Sequence, residues 1–212
     1  MSKPVVDLSL YLVIGPADCG GRNPAEIAAA AASGGATLVQ LRDKQSATRD
    51  ILALAREMKA RLDPLGVPLI VNDRIDVALA AGAQGVHLGQ DDMPLEDARR
   101  LAGPDFVIGV SIGSEAERDA TPLELADHAG VGACFPSATK ADADALGVDG
   151  LRQLRPSLPM PVVGIGGISA ENAADVLSAG ADGVAVVSAI CKAKDPAAAA
   201  RELSKIIDKS RF

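Results

Sequence analysis

One phrase occurs three times in the chain: SGGATLVQLRDK at 33–44, AGAQGVHLGQDD at 81–92 and AGADGVAVVSAI at 179–190. Each follows an Ala-rich stretch and passes from Gly through a short turn into an apolar run that ends in polar residues. Gly takes the left-handed conformation that closes a helix at little cost, so each phrase reads as the second half of a strand-helix-strand unit. Further apolar runs at 8–14, 68–71, 106–110, 129–135 and 161–166 bring the number of strands to about eight. Helical patterns fall at roughly 24–33, 47–62, 74–81, 94–102, 115–127, 147–156, 170–179 and 195–208, with Pro122 set to interrupt or restart the fifth of them. Strand alternating with helix at this density requires a parallel sheet. About eight units in 212 residues favour a single-domain (β/α)8 TIM barrel spanning 1–212. An open doubly wound sheet is the weaker choice, because no Gly-x-Gly-x-x-Gly follows the first strand.

Composition fits that architecture. With one Tyr, three Phe and no Trp, the core must be filled by Ala, Val, Leu and Ile. A net charge of −7 without any Lys or Arg run argues against general nucleic-acid binding, so an anionic ligand must be held locally. Cys19, Cys134 and Cys191 lack metal-ligand spacing and read as small buried hydrophobes. There is no signal pattern at the amino terminus and no apolar stretch near the ~20 residues that span a bilayer. A reduced, cytoplasmic protein without membrane contact is expected.

In such a barrel all strand ends open on one face, and the residues read as following the strands converge there. They are Gln40, Arg42 and Lys44 after the second strand, Asn72 and Asp73 after the third, and Gln90, Asp91 and Asp92 after the fourth. Ser111 follows the fifth, Ser137, Thr139 and Lys140 lie beyond the sixth, Gly166 and Gly167 follow the seventh, and Ser188 follows the eighth. Asp73 and Asp92 supply hard oxygen ligands suited to Mg2+, which takes one or two carboxylates together with phosphates and water. Helix capping is the competing role for both. Arg42, Lys44 and Lys140 are cations suited to polyphosphate oxygens. GIGGIS at 164–169 with VVSAI at 186–190 places two backbone-rich loops where barrels bind phosphate. Two anion sites around one metal imply two phosphorylated substrates, one of them carrying a diphosphate that is displaced. Paired carboxylates could also serve glycoside hydrolysis, but a chain this poor in aromatics lacks sugar platforms. His87 and His128 have no ligand-spaced partner and read as packed, hydrogen-bonded histidines.

Taken in order, LYLV, VQLRDK, VNDRIDVALAAGAQGVHLGQDD, IGVS, FPSATK and VVGIGGISAENAADVLSAGADGVAVVSAI resemble the thiamine phosphate synthase family from about residue 10 to 208. The resemblance implies a (β/α)8 barrel that joins hydroxymethylpyrimidine diphosphate to hydroxyethylthiazole phosphate with magnesium. The implied mechanism is dissociative: diphosphate leaves first, and the thiazole nitrogen captures the resulting methylene cation. It assigns Asp73 and Asp92 to magnesium, and Arg42, Lys44, Asn72 and Lys140 to the diphosphate. It assigns Gln40 to the pyrimidine, Ser111 and Thr139 to the substrate pocket, and Gly167, Val187 and Ser188 to the thiazole phosphate. Arg42, Lys44, Ser111 and Lys140 are the expected catalytic set. Partners are small phosphorylated molecules, and a homodimer is left open.

The chain departs from the family pattern in four places. Ile14-Gly15 stands for Thr-Asp, Ile112-Gly113 for a small residue followed by His, Gly132-Ala133 for Gly-Pro, and Ser137 for Thr. Two alternatives therefore accompany the synthase reading. One is an isomerase of the thiazole tautomerase kind, against which Asp73, Asp92 and Lys140 argue. The other is a non-catalytic paralogue that binds a phosphate ligand.

Overall fold

The computed structural model describes residues 6–136 and 146–210. Among them eight strands close a parallel barrel in chain order, with β1 pairing β8. The strands are β1 (Leu10–Ile14), β2 (Leu38–Leu41), β3 (Leu69–Asn72), β4 (Gly85–Leu88), β5 (Val107–Ile112), β6 (His128–Val131), β7 (Val162–Ile165) and β8 (Gly183–Val186). Between and after them run α1 (Pro24–Ser33), α2 (Thr48–Leu62), α3 (Ile75–Ala81), α4 (Leu95–Ala102), α5 (Glu115–Ala120), α6 (Gly147–Leu154), α7 (Ala173–Ser178), a one-turn α8 (Ser188–Cys191) and α9 (Pro196–Ser210). No helix among the described residues is long and apolar enough to cross a membrane.

One sequence expectation holds at this level and two shift. The fifth helix ends at Ala120, and Pro122 starts a separate 3-10 turn, because Pro cannot donate to the preceding turn. β5 extends two residues further than its apolar run, so Ser111 lies within it. β6 stops at Val131; beyond it Cys134 and Phe135 keep backbone hydrogen bonds to Ile165 and Gly166, which explains why the apolar run continued.

Side chains alternate along each strand. In β1, Leu10, Leu12 and Ile14 join the large outer core against the helices, while Tyr11 and Val13 point into the barrel with Leu38, Ile70, Val163 and Ala185. The helices meet the strands through Ala25, Ala28, Ala31, Ala55, Ala78, Ala98 and Ala200, all buried, which accounts for the Ala-rich, aromatic-poor composition.

At the amino-terminal ends of the strands one device recurs four times. Thr37, Gln84, Asp127 and Asp182 each immediately precede an even-numbered strand, and each clasps one residue of the strand before it. Their backbone N–H groups donate to the carbonyls of Leu10, Leu69, Ile108 and Val162 at 2.7–2.9 Å. Their side-chain oxygens accept from the N–H groups of the same four residues at 2.8–3.1 Å. Arg99 and Arg155 reinforce the two carboxylate clasps, at 2.9 Å from Asp127 and 3.2 Å from Asp182.

Candidate active site

β3 ends on Asn72, and the chain turns sharply at Asp73, whose φ of 61° is the left-handed region that non-glycine residues seldom occupy. The Asp73 N–H donates to the His87 carbonyl at 2.8 Å, which holds the turn. The side chain lies 3.1 Å from Lys44 Nζ and beside the Asp92 carboxyl group. Burial and the neighbouring Asp92 raise the Asp73 pKa above the usual carboxylate range, and Lys44 opposes them. Asp92 in turn accepts the Gly89 N–H at 2.6 Å.

Neither carboxylate caps a helix. α3 and α4 begin at Arg74 and Pro94 without any side-chain cap, so the capping role weighed from sequence is not what these residues do. Two like charges brought together at a strained turn repel each other, and Lys44 offsets only part of that cost. No cluster of three or more His, Cys, Asp or Glu side chains able to hold a metal occurs among the described residues. A pair that leaves most positions to phosphate and water suits magnesium better than a cation caged entirely by protein.

Gln40, Asn72 and Ser111 prove to be members of strands rather than of loops, because polar side chains at inward positions are compatible with a strand when they have partners inside the barrel. Gln40 is buried and donates to the Tyr11 hydroxyl. Ser111 Oγ is 3.0 Å from His87 Nε2. Gln90 ties the loop after β4 to β5 by donating to the Ser111 carbonyl at 2.6 Å, and Asp91 is exposed.

Across the same face, Val13, Arg42, Gly132, Ala133, Ile165 and residues 185–188 wall a pocket with Gly166 and Gly167. The two glycines have φ of 100° and 63°, and a Cβ on either would come within 2.8 Å of the Ala133 or Phe135 Cβ, so glycine is required at both. Ser188 opens α8, whose far end is fixed by Arg22, which donates to the carbonyls of Ala193 at 2.9 Å and of Cys191. Gly15, one of the departures, lies where a Cβ would sit 2.0 Å from the Arg42 carbonyl, so no side chain fits there. Thr139, Lys140 and Ser137 lie outside the described residues.

The structure adds four residues that the sequence reading left out of the site: Tyr11, His87, His128 and Arg22. The first three face the barrel interior, and alternation along such short strands could have signalled them. His87 is hydrogen-bonded as expected, whereas neither ring nitrogen of His128 has a hydrogen-bond partner. The three cysteines are buried and free, as read, but the Cys19 and Cys191 thiols also touch each other.

Residues 10–190 match the family model described as thiamine monophosphate synthase. The chain is 53% identical over 203 residues to the thiamine-phosphate synthase of Albidiferax ferrireducens, covering 95% of this chain and 92% of that one. It is 50% identical to that of Xanthobacter autotrophicus, covering 98% of each. Among solved structures, the thiamine phosphate pyrophosphorylase from Pyrococcus furiosus superposes with a TM-score of 0.88 at 37% identity, covering 97% of this chain and 98% of that one.

Proposed function

Because the chain belongs to the thiamine monophosphate synthase family, and so is an enzyme of the transferase class, we propose that it condenses hydroxymethylpyrimidine diphosphate with hydroxyethylthiazole phosphate in a magnesium-dependent, dissociative reaction. The observation that carries this reading is the pairing of Asp73 with Asp92 beside Lys44 on the barrel face that also holds the Gly166-Gly167 loop and Ser188.

Asp73 and Asp92 are the groups that hold magnesium, which when bound supplies positive charge to the diphosphate oxygens. Lys44, Arg42, Asn72 and Lys140 bind the same diphosphate and favour its departure by stabilising the charge that accumulates on it. Gln40, its amide oriented by Tyr11, and Thr139 and Ser111 position the pyrimidine diphosphate. Gly167, Val187 and Ser188 bind the thiazole phosphate through backbone N–H groups and the Ser188 hydroxyl. The apolar wall formed by Val13, Ile165 and Ala185 keeps water from the thiazole nitrogen's path to the cation. No protein nucleophile is needed, in keeping with a site of cations and amides. We place the activity in the cytoplasm.

The test is formation of thiamine phosphate by the purified protein given both substrates, with and without magnesium. Magnesium-dependent product is expected. Binding of the thiazole phosphate without product in either condition would overturn the synthase reading in favour of a binding paralogue, and conversion of a thiazole phosphate alone would favour the isomerase.

A further inference from the structure

The loop between β1 and α1 runs from Arg42 to α8, both of which border the Gly166-Gly167 pocket. At its start Gly15 lies against the Arg42 carbonyl, its N–H donating to Asp18 at 3.0 Å and its own carbonyl accepting the Cys19 thiol at 3.2 Å. At its end Asn23 caps α1 by accepting the Ala25 N–H at 2.8 Å, and it donates to Glu57 at 3.0 Å. Arg22 stands between these fixed points and spreads its guanidinium over three carbonyls. It donates to Ala193 at 2.9 Å, to Cys191 and, through Nε, to Cys19 at 3.3 Å. Two of those acceptors close the carboxyl end of α8, a single turn of four residues. Within that turn the Cys191 N–H donates to the Val187 carbonyl at 2.9 Å and the Lys192 N–H to the Ser188 carbonyl at 3.1 Å. A displacement of the carboxyl end is therefore passed directly to Val187 and Ser188. Ile190 and Cys191 are fully buried, which fixes how deep the turn sits. Apolar contact is non-directional and does not fix its heading, whereas a planar guanidinium with three acceptors does.

We propose that Arg22 is a positioning residue for the thiazole phosphate: by holding the carboxyl end of α8 it sets where Val187 and Ser188 stand opposite Gly167. The inference rests on the synthase reading, which puts that phosphate between those residues, and it adds a side chain that acts through α8 alone. Loss of Arg22 leaves every phosphate-binding group in the protein but lets the Val187-Ser188 side of the pocket drift from the Gly166-Gly167 side. The phosphate, which needs both sides at once, then loses affinity, while the thiazole ring against the apolar wall does not.

Calorimetric titration with hydroxyethylthiazole phosphate and with the unphosphorylated hydroxyethylthiazole separates these effects, because the ratio of the two Kd values measures what the phosphate contributes. The wild-type protein should bind the phosphate more tightly. Arg22→Met, which keeps an apolar stem and loses every donor, should reduce the ratio about tenfold, the usual order for loss of an orienting partner, with the Kd of the alcohol within about twofold of wild type. Arg22→Lys, whose ammonium can serve some of the three carbonyls, should recover part of the ratio. Thermal melts establish that each variant is folded at the assay temperature. A folded Arg22→Met protein with the wild-type ratio would overturn the proposal. So would one in which both ligands weaken equally, the result that a general loosening of the barrel predicts. A wild-type protein that binds phosphate and alcohol alike would overturn the synthase reading first, and this proposal with it.

Discussion

Asp92→Asn and Asp92→Ala separate the two things this side chain does. One oxygen accepts the Gly89 N–H at 2.6 Å, and the charge lies against Asp73. The Asn amide oxygen can take the same hydrogen bond, so Asn keeps the turn, whereas Ala leaves the Gly89 amide without that acceptor. A hydrogen bond to a charged group contributes about 1.5–3 kcal/mol, and partial exposure brings that to about 1–2 kcal/mol here. For a chain of this size Ala should therefore lower Tm by about 2–8 °C. Asn should cost under about 1 kcal/mol, since it also removes the neighbour that pushes the Asp73 carboxyl up. Both variants lose the same charge, and a metal site deprived of one of two carboxylates should lose about 3–4 kcal/mol of transition-state stabilisation, or 100- to 1000-fold in kcat/KM at fixed magnesium, as an order of magnitude. The assay is thiamine phosphate formation across a magnesium titration, run beside thermal melts. An Asn variant as active as wild type at limiting magnesium would refute the metal assignment, and an Asn variant as unstable as Ala would refute the account of the turn.

Asp127→Ala, on the opposite face, removes the acceptor of the Ile108 N–H and the ion pair with Arg99; it should cost about 2–4 kcal/mol in urea unfolding while kcat/KM at 25 °C stays at the wild-type value. Gly166→Ala forces a side chain onto a φ of 100° and against Ala133, and should raise KM for the thiazole phosphate about tenfold or more, with KM for the pyrimidine diphosphate little changed in steady-state assays. His128 titrates at about 4 in the folded protein and near 6.5 unfolded, so the unfolded chain takes up the proton first as pH falls. The stability it allows is full above pH 6.5 and declines toward pH 4 by roughly 3 kcal/mol. His128→Gln should remove that part of the decline, which paired urea titrations at pH 7 and 4.5 can measure.

The barrel was legible because its signal is repeated: eight apolar runs separated by helical patterns and closed by glycines leave few other arrangements. The placement of Asp73, Asp92 and Lys44 on one face followed from strand direction alone. What escaped was the interior. Gln40 and Ser111 sit near the ends of strands of four and six residues, where an inward polar residue is hard to tell from the first residue of a loop. Gly109 carried no sign that the His87 and His128 imidazoles fill the room it leaves, since their meeting depends on register across three strands. The role of Asp73 and Asp92 was ambiguous for a local reason: an Asp just before a helical run suits a cap or a metal equally, and the left-handed turn at Asp73, beyond which α3 starts without a side-chain cap, is a tertiary feature. Three of the four clasps were written in the repeated phrase itself, as the third residue of GAT, GAQ and GAD, but their partners lie on the preceding strand.

Those clasps divide the barrel unevenly. Each binds an odd-numbered strand to the even-numbered one that follows, and none of the four bridges from an even strand to the next odd one. The eight strands are therefore a ring of four pairs, with seams after β2, β4, β6 and β8. A ring has no first member: a chain joined end to end and reopened between α2 and β3, or between α4 and β5, at the end of the barrel away from the site, would carry every pair whole, with the carboxylate turns still facing the phosphate loops across the same mouth.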